Sequence, residues 1–290
     1  MLTERVQAWQ DCGAAITFRG RQIHTHARDG DGPALLLLHG FPSSSYDLRL
    51  LLEELPGQRA VTFDCLGFGL SDKPRNHVYG LGWQADLAQD VVRRAGAPPV
   101  VLVAHDMGTS VATELLARDL RGEGVLDIRG ALLLNGSVIL ERAKPTLGQR
   151  LLRSPAGPLA SRLSTERFFR QQFGQVFSAG HPLSAAEAAD QWSLVTHNDG
   201  HRIGHLLVHY MDERITNAER WHGAIRDWPK PFHLAWGMLD PVAVPDVLHG
   251  LRELRPDAPV STWDDVGHYP PLEAPDRLAA AVRGLLDAVV

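Results

Sequence analysis

Val100-Val101-Leu102-Val103-Ala104-His105-Asp106-Met107-Gly108-Thr109-Ser110 is the run on which the rest of the chain turns. It opens with four apolar residues, three of them β-branched, which read as a fully buried strand. After Gly108, Val111, Ala112, Leu115 and Leu116 recur at helical spacing. The small-His-Asp-Met-Gly segment between them has the shape of a nucleophile elbow, the sharp strand-to-helix turn usually written G-x-S-x-G. Such a turn is strained and packs close to its neighbours, and Ala104 and Gly108 supply the room. At its centre stands Asp106, where a Ser or Cys would be usual. A carboxylate there is a nucleophile that makes a covalent ester with a carbon electrophile. Taken alone, the segment also fits an aspartate that caps the following helix. The surrounding sequence decides between the two.

On the N-terminal side, residues 14–19 and 22–27 read as a hairpin turning at Gly20-Arg21. Residues 34–38 form a continuous apolar run, a central parallel strand, ending in His39-Gly40-Phe41-Pro42. Ser43 or Ser44 then caps a helix reaching about Leu55. Residues 60–63 are another buried strand, and Asp64 at its end ties down the Gly67-Gly69 loop. That loop holds no G-x-G-x-x-G and opens no helix, which excludes a dinucleotide fingerprint. Residues 82–95 form an amphipathic helix with Trp83, Leu87, Val91 and Val92 on its apolar side.

On the C-terminal side, residues 130–134 are the next strand. From 137 to 228 strand runs vanish and helical stretches rich in Arg, Gln, Ala and His replace them. This is a helical cap inserted into a core made of residues 1–136 and 229–290. The strand pattern resumes at 232–236 and 259–263, with helices near 244–254 and 275–289. Strands alternating with helices imply an α/β fold: a mostly parallel eight-stranded sheet with helices on both faces.

With 290 residues the chain can bury a substantial core. Net charge is -5, and no Lys/Arg block or basic stripe is visible along the sequence, which argues against a nucleic-acid partner. Cys12 and Cys65 lie far apart without metal-ligand spacing, compatible with a reducing compartment. The first residues lack a signal-peptide pattern, and no apolar run approaches membrane-spanning length, so a cytoplasmic location is expected. His197, His201, His205 and His209 are each four apart, but Gly200 and Gly204 interrupt the helix and no carboxylate joins them; no metal site is expected. Oligomeric state is left open.

In open α/β sheets chemistry gathers at the carboxyl ends of strands. Four groups fall at such ends, in chain order: His39-Gly40-Phe41-Pro42, Asp106, Asp240 and His268. That order, oxyanion loop, nucleophile, acid, histidine, is the α/β-hydrolase order. The strings HGFPSSSYDLR, FDCLGFGLSDKP, AHDMGTSVATELL, WGMLDPV and GHYPPLEAPDR resemble the epoxide hydrolase and haloalkane dehalogenase branch of the α/β-hydrolases. Within that branch the chain is most similar to the mesoderm-specific transcript hydrolases, nearly end to end, including Asn198-Asp199-Gly200. The resemblance implies a cofactor-free hydrolase. Asp106 attacks carbon, His268 activates the water that cleaves the ester, Asp240 orients His268, and the amides of Phe41 and Met107 hold the oxyanion.

The leaving group separates the reactions of that branch. A departing halide needs N–H donors. The residues at the expected positions, Met107 and Phe41, have none in their side chains, although Trp83 or Trp192 could serve. An epoxide needs an acid, and Tyr210 is the one tyrosine in the cap, backed by Ile203, Leu206 and Leu207. His39 shapes the oxyanion loop at the edge of the substrate site. The expected partner is therefore a small apolar electrophile, most readily an epoxide. Haloalkane dehalogenation, ester or lactone hydrolysis, and a ligand-binding receptor on the same fold are the alternatives.

Overall fold

The computed structural model describes residues 1–96 and 98–289. Its sheet has eight strands: β1 (Ala14–Phe18), β2 (Arg21–Arg28), β3 (Asp31–Leu38), β4 (Gln58–Phe63), β5 (Val100–His105), β6 (Ile128–Leu134), β7 (Phe232–Gly237) and β8 (Val260–Trp263), in the order β1-β2-β4-β3-β5-β6-β7-β8. β1 and β2 pair antiparallel, as does β2 with β4, and the remaining pairs are parallel. The helices follow in chain order: α1 (Glu4–Asp11), α2 (Arg49–Glu54), α3 (Leu81–Arg94) and α4 (Met107–Leu120). Between β6 and β7 come α5 (Leu147–Arg153), α6 (Gly157–Arg162), α7 (Glu166–Gly174), α8 (Ala185–Thr196), α9 (Gly204–Leu207), α10 (Tyr210–Thr216) and α11 (Ala218–Asp227). The chain closes with α12 (Pro245–Leu254), α13 (Pro270–Glu273) and α14 (Pro275–Val289).

The uninterrupted apolar runs of β3 and β5 follow from burial on both faces. Successive side chains on a strand point to opposite sides. Leu36, Leu38, Leu102 and Ala104 accordingly join the core shared with α3, α4 and α11. Leu35, Leu37, Val101 and Val103 join the one beneath α2 and α14. All eight are essentially inaccessible, and each large one contributes roughly 2 kcal/mol of hydrophobic stabilisation. With both faces filled and neighbours on both edges, these strands are fixed in register, and their carboxyl ends become a rigid platform.

Three features differ from the sequence reading. The helix expected after Ser43 or Ser44 starts as a 3₁₀ turn over Ser45–Leu48, capped by Ser44, before α2 begins. An N-terminal helix, α1, is present although its sequence buries only Val6; the Thr3 side chain caps it by accepting from the Val6 amide. In the 137–228 stretch the histidine run is interrupted as expected, but the break falls at Asn198 and Asp199 and not at Gly204. Asn198 and Asp199 adopt left-handed φ angles of 52° and 60°, and a regular helix resumes only at Gly204.

Candidate active site

The turn from β5 into α4 puts Asp106 at φ 44° and ψ -110°, a conformation that costs a non-glycine residue about 1–3 kcal/mol. Two glycines make the close approach tolerable. A Cβ on Gly108 would stand 2.5 Å from the Leu38 carbonyl oxygen, and one on Gly40 would stand 2.8 Å from the Asp106 Cβ. The bend lifts the carboxylate to the loop that follows β3, where the Phe41 amide donates to Asp106 Oδ2 at 2.9 Å. Asp106 Oδ1 has no hydrogen-bond partner among the described residues, although the side chain is almost completely buried. The Met107 amide, the other expected oxyanion donor, opens α4 beside the carboxylate without bonding to it.

His268 comes from the loop after β8. Its Nδ1 donates to Asp240 Oδ2 at 2.7 Å, and Asp240 Oδ1 accepts from the amides of Val242 and Ala243 at 2.7 and 3.0 Å. Burial alone would lower the His268 pKa. The charge and hydrogen bond of Asp240, with the charge of Asp106 added, outweigh that and raise it above the ordinary histidine value. The structure thus brings Asp106, Asp240, His268 and Phe41 together. Asp64 is where the sequence put it, accepting from Ser45 N and Oγ and from the Leu70 amide.

The remaining expected residues fare differently. His39 is fully buried and faces the loop: its Nε2 accepts from the Cys65 amide and its Nδ1 donates to the Gly40 carbonyl. It positions the oxyanion loop and does not wall the cavity. Trp83 is displaced from the site, packed on Phe18 and His77 at ring distances of 5.0 and 5.5 Å, because the apolar side of α3 faces that edge of the sheet. Trp192 lies one layer behind the cavity, 5.4 Å from the ring of Phe169. Tyr210 is buried with its ring 5.7 Å from that of Phe41. Its phenol accepts from Gln149 Nε2 at 3.3 Å, and its own proton has no acceptor among the described residues. Burial, then the charge of Asp106, push its pKa up, while Arg214 and Gln149 pull the other way.

A cavity of about 340 Å³ opens over Phe41, His268 and Tyr269. Its far wall is Gln149, Leu152, Phe169, Phe173 and Leu207, and Lys73 stands at one side. Burial drops the Lys73 pKa to about 8.

Sequence reasoning missed several supporting residues. Asn135, also at positive φ, donates to Asp240 Oδ2 at 2.7 Å and accepts from the Gly237 amide at 3.0 Å. His105 Nε2 donates to the His268 carbonyl at 2.7 Å. Glu273 accepts from the Gly267 and Tyr269 amides on either side of His268. Arg214 of α10 is buried against the elbow: it donates to Ser110 Oγ at 2.8 Å and to the Asp106 carbonyl at 2.9 Å, with its guanidinium 3.8 Å from Asp106 Oδ1. The Asn-Gly pair at 135–136 carried a visible turn signal, which marked the bend and hid the ligand. Nothing in the local sequence of Arg214 marks it.

A strand-end carboxylate, a histidine held by a second carboxylate, and this chain order meet in one place. Residues 35–281 match the model of the alpha/beta hydrolase family. The chain belongs to that family. This α/β hydrolase is 54% identical over 286 residues to "Putative hydrolase LipZ" of Mycobacterium tuberculosis, covering 99% of both chains. It is 34% identical to the mesoderm-specific transcript homolog protein of Bos taurus, covering 99% of this chain and 89% of that one, which bears out the resemblance read from the motifs. Haloalkane dehalogenase DbeA from Bradyrhizobium elkani superposes with a TM-score of 0.79 at 22% identity, over 96% of this chain and 98% of that one, a likeness of fold. The chain is a hydrolase built on this fold, and no helix of the described residues is long and apolar enough to cross a membrane.

Proposed function

We propose that this hydrolase opens small apolar epoxides through a covalent ester on Asp106. The observation that carries the reading is the asymmetry of the Asp106 carboxylate. Oδ2 is held by the Phe41 amide, whereas Oδ1 accepts no hydrogen bond among the described residues and faces the Arg214 guanidinium at 3.8 Å. The free oxygen attacks an epoxide carbon, the C–O bond breaks, and the ring oxygen leaves as an alkoxide. Tyr210, whose proton is unspent, delivers that proton to the alkoxide, and Gln149 and Arg214 stabilise the phenolate left behind. His268 then takes a proton from water, the hydroxide adds to the Asp106 ester carbonyl, and Oδ2 becomes the oxyanion. Phe41 already donates to that oxygen, and the Met107 amide at the start of α4 is placed to join it. Collapse releases the diol, and the proton returns through His268 to Tyr210. Asp240 keeps His268 in the right tautomer and stabilises its charged form. The 137–228 insertion acts as the cap that closes the cavity over the reacting atoms.

Haloalkane dehalogenation shares the first and last steps. Among the described residues no tryptophan or asparagine lines the cavity, and a departing halide would depend on Lys73, Gln149, Gln172, His201 and His268 for N–H donors. Mass spectrometry of His268→Gln incubated with a panel of epoxides and alkyl halides tests both. The expected result is an adduct on the peptide holding Asp106 with epoxides. An adduct with halides alone would replace epoxides as the substrate. No adduct with either would remove the nucleophilic role of Asp106.

A further inference from the structure

The cationic residues of the insertion gather in its first half. Between residues 144 and 174 stand six of them, Lys144, Arg150, Arg153, Arg162, Arg167 and Arg170, against one carboxylate, Glu166, in a chain of net charge -5. All six are exposed. Arg153 pairs with Asp212 and Arg170 faces Glu166 at 3.8 Å, whereas Lys144, Arg150, Arg162 and Arg167 have no carboxylate partner among the described residues. The same three short helices, α5 to α7, carry exposed large apolar side chains: Leu147 at 69%, Leu159 at 60% and Leu163 at 66%, with Leu151 and Phe168 near 40%. Leu151, Leu163 and Phe168 also line the cavity, so this apolar rim is continuous with it.

We infer that α5 to α7 form a docking surface for an anionic lipid bilayer, through which apolar substrate enters the cavity directly. Leucine and phenylalanine that project between arginines suit an interface where the apolar tips enter the acyl boundary and the guanidinium groups stay among lipid phosphates. The charge is complementary to that surface, whereas the remainder of the molecule is net negative. A folded protein seated here would plug the cavity mouth. A fluid bilayer leaves it open to an apolar solute. The attachment is peripheral, and it holds whichever chemistry Asp106 performs.

The test is co-sedimentation of the full chain with vesicles of phosphatidylcholine containing about one part in three of phosphatidylglycerol, beside vesicles of phosphatidylcholine alone. Binding is expected to the anionic vesicles only, weakening as salt is raised. Each cation removed should weaken it about five-fold. The double variant Arg162→Glu/Arg167→Glu should therefore lose at least tenfold, and Leu159→Asp should lose binding while every arginine remains. None of the three positions lines the cavity and all three are exposed, so unfolding midpoints should match the parent. Equal binding to neutral vesicles, no binding to either, or variants that bind like the parent would overturn the assignment. So would self-association in light scattering that Leu159→Asp abolishes, since the rim would then be covered by a second copy of the chain.

Discussion

Asp106 combines a strained positive-φ backbone with a buried carboxylate oxygen that accepts no hydrogen bond among the described residues. The same tension between burial and charge is visible at His268. Its raised pKa means that below it the ring is protonated and cannot take a proton from water, so the ester-cleaving step should gain rate as pH rises through a value above the ordinary histidine pKa. Asp240 causes that elevation. In Asp240→Asn the carboxylate charge is lost, the acid limb of the kcat profile should move to lower pH, and kcat should fall by on the order of 10⁴-fold, as in other triads whose aspartate is amidated. Rapid-quench measurement of ester breakdown across pH checks both; a profile that stays in place would show that Asp240 does not tune His268. Asp106 and Asp240 were legible because each follows a strand with a clear apolar run, and His268 because a Gly precedes it and an aromatic and prolines follow it. Asn135 and Arg214 were not, since their importance rests on contacts with residues about a hundred positions away, and neither interrupts a pattern.

Among the elements, the core strands were readable to within three residues, because burial on both faces leaves continuous apolar runs that cannot be mistaken for surface. α1 escaped notice since its stability comes from partners outside it. Asp190 on α8 accepts from Thr3 Oγ1 at 2.5 Å, from Arg5 Nε at 2.7 Å and from the buried Tyr46 hydroxyl at 2.7 Å. One carboxylate thus fastens the N-terminal helix and the insertion to the core. Burial would raise its pKa, but the hydrogen bonds from Arg5, Thr3 and Tyr46 hold it below the usual carboxylate range. Asp190→Ala strands the Tyr46 hydroxyl and should cost about 2–3 kcal/mol in urea unfolding. Amide exchange in α1 should accelerate more than exchange in β5. Equal acceleration throughout would mean that Asp190 contributes to global stability without holding this joint.

For the molecule as a whole, the joint between core and insertion also contains a carboxyl group that titrates near neutrality. Asp47 is fully buried beneath α8, accepts from Gln191 Nε2 at 2.6 Å, and has Oδ2 without a partner among the described residues. Burial pushes its pKa up to about 7, assisted by the charge of Glu187 and opposed by the hydrogen bond from Gln191 and the charge of Arg49. An acid whose folded pKa is raised binds its proton more tightly folded than unfolded. Its contribution to stability is therefore present below the unfolded value near 4 and lost as pH climbs toward 7. His24, His26, His39 and His105, whose pKa values burial lowers, act in the opposite sense over part of that range, stabilising the fold as pH rises. The parent curve alone cannot isolate Asp47, but a difference curve can. Asp47→Asn keeps the acceptor for Gln191 and removes the titration. Its stability relative to the parent should rise by on the order of 4 kcal/mol between pH 4 and pH 7, then level off. Urea midpoints of both proteins measured across that window test it. A difference that is flat with pH would mean that Asp47 is charged in the folded protein, and that the insertion's seat does not loosen as pH climbs from 4 to 7.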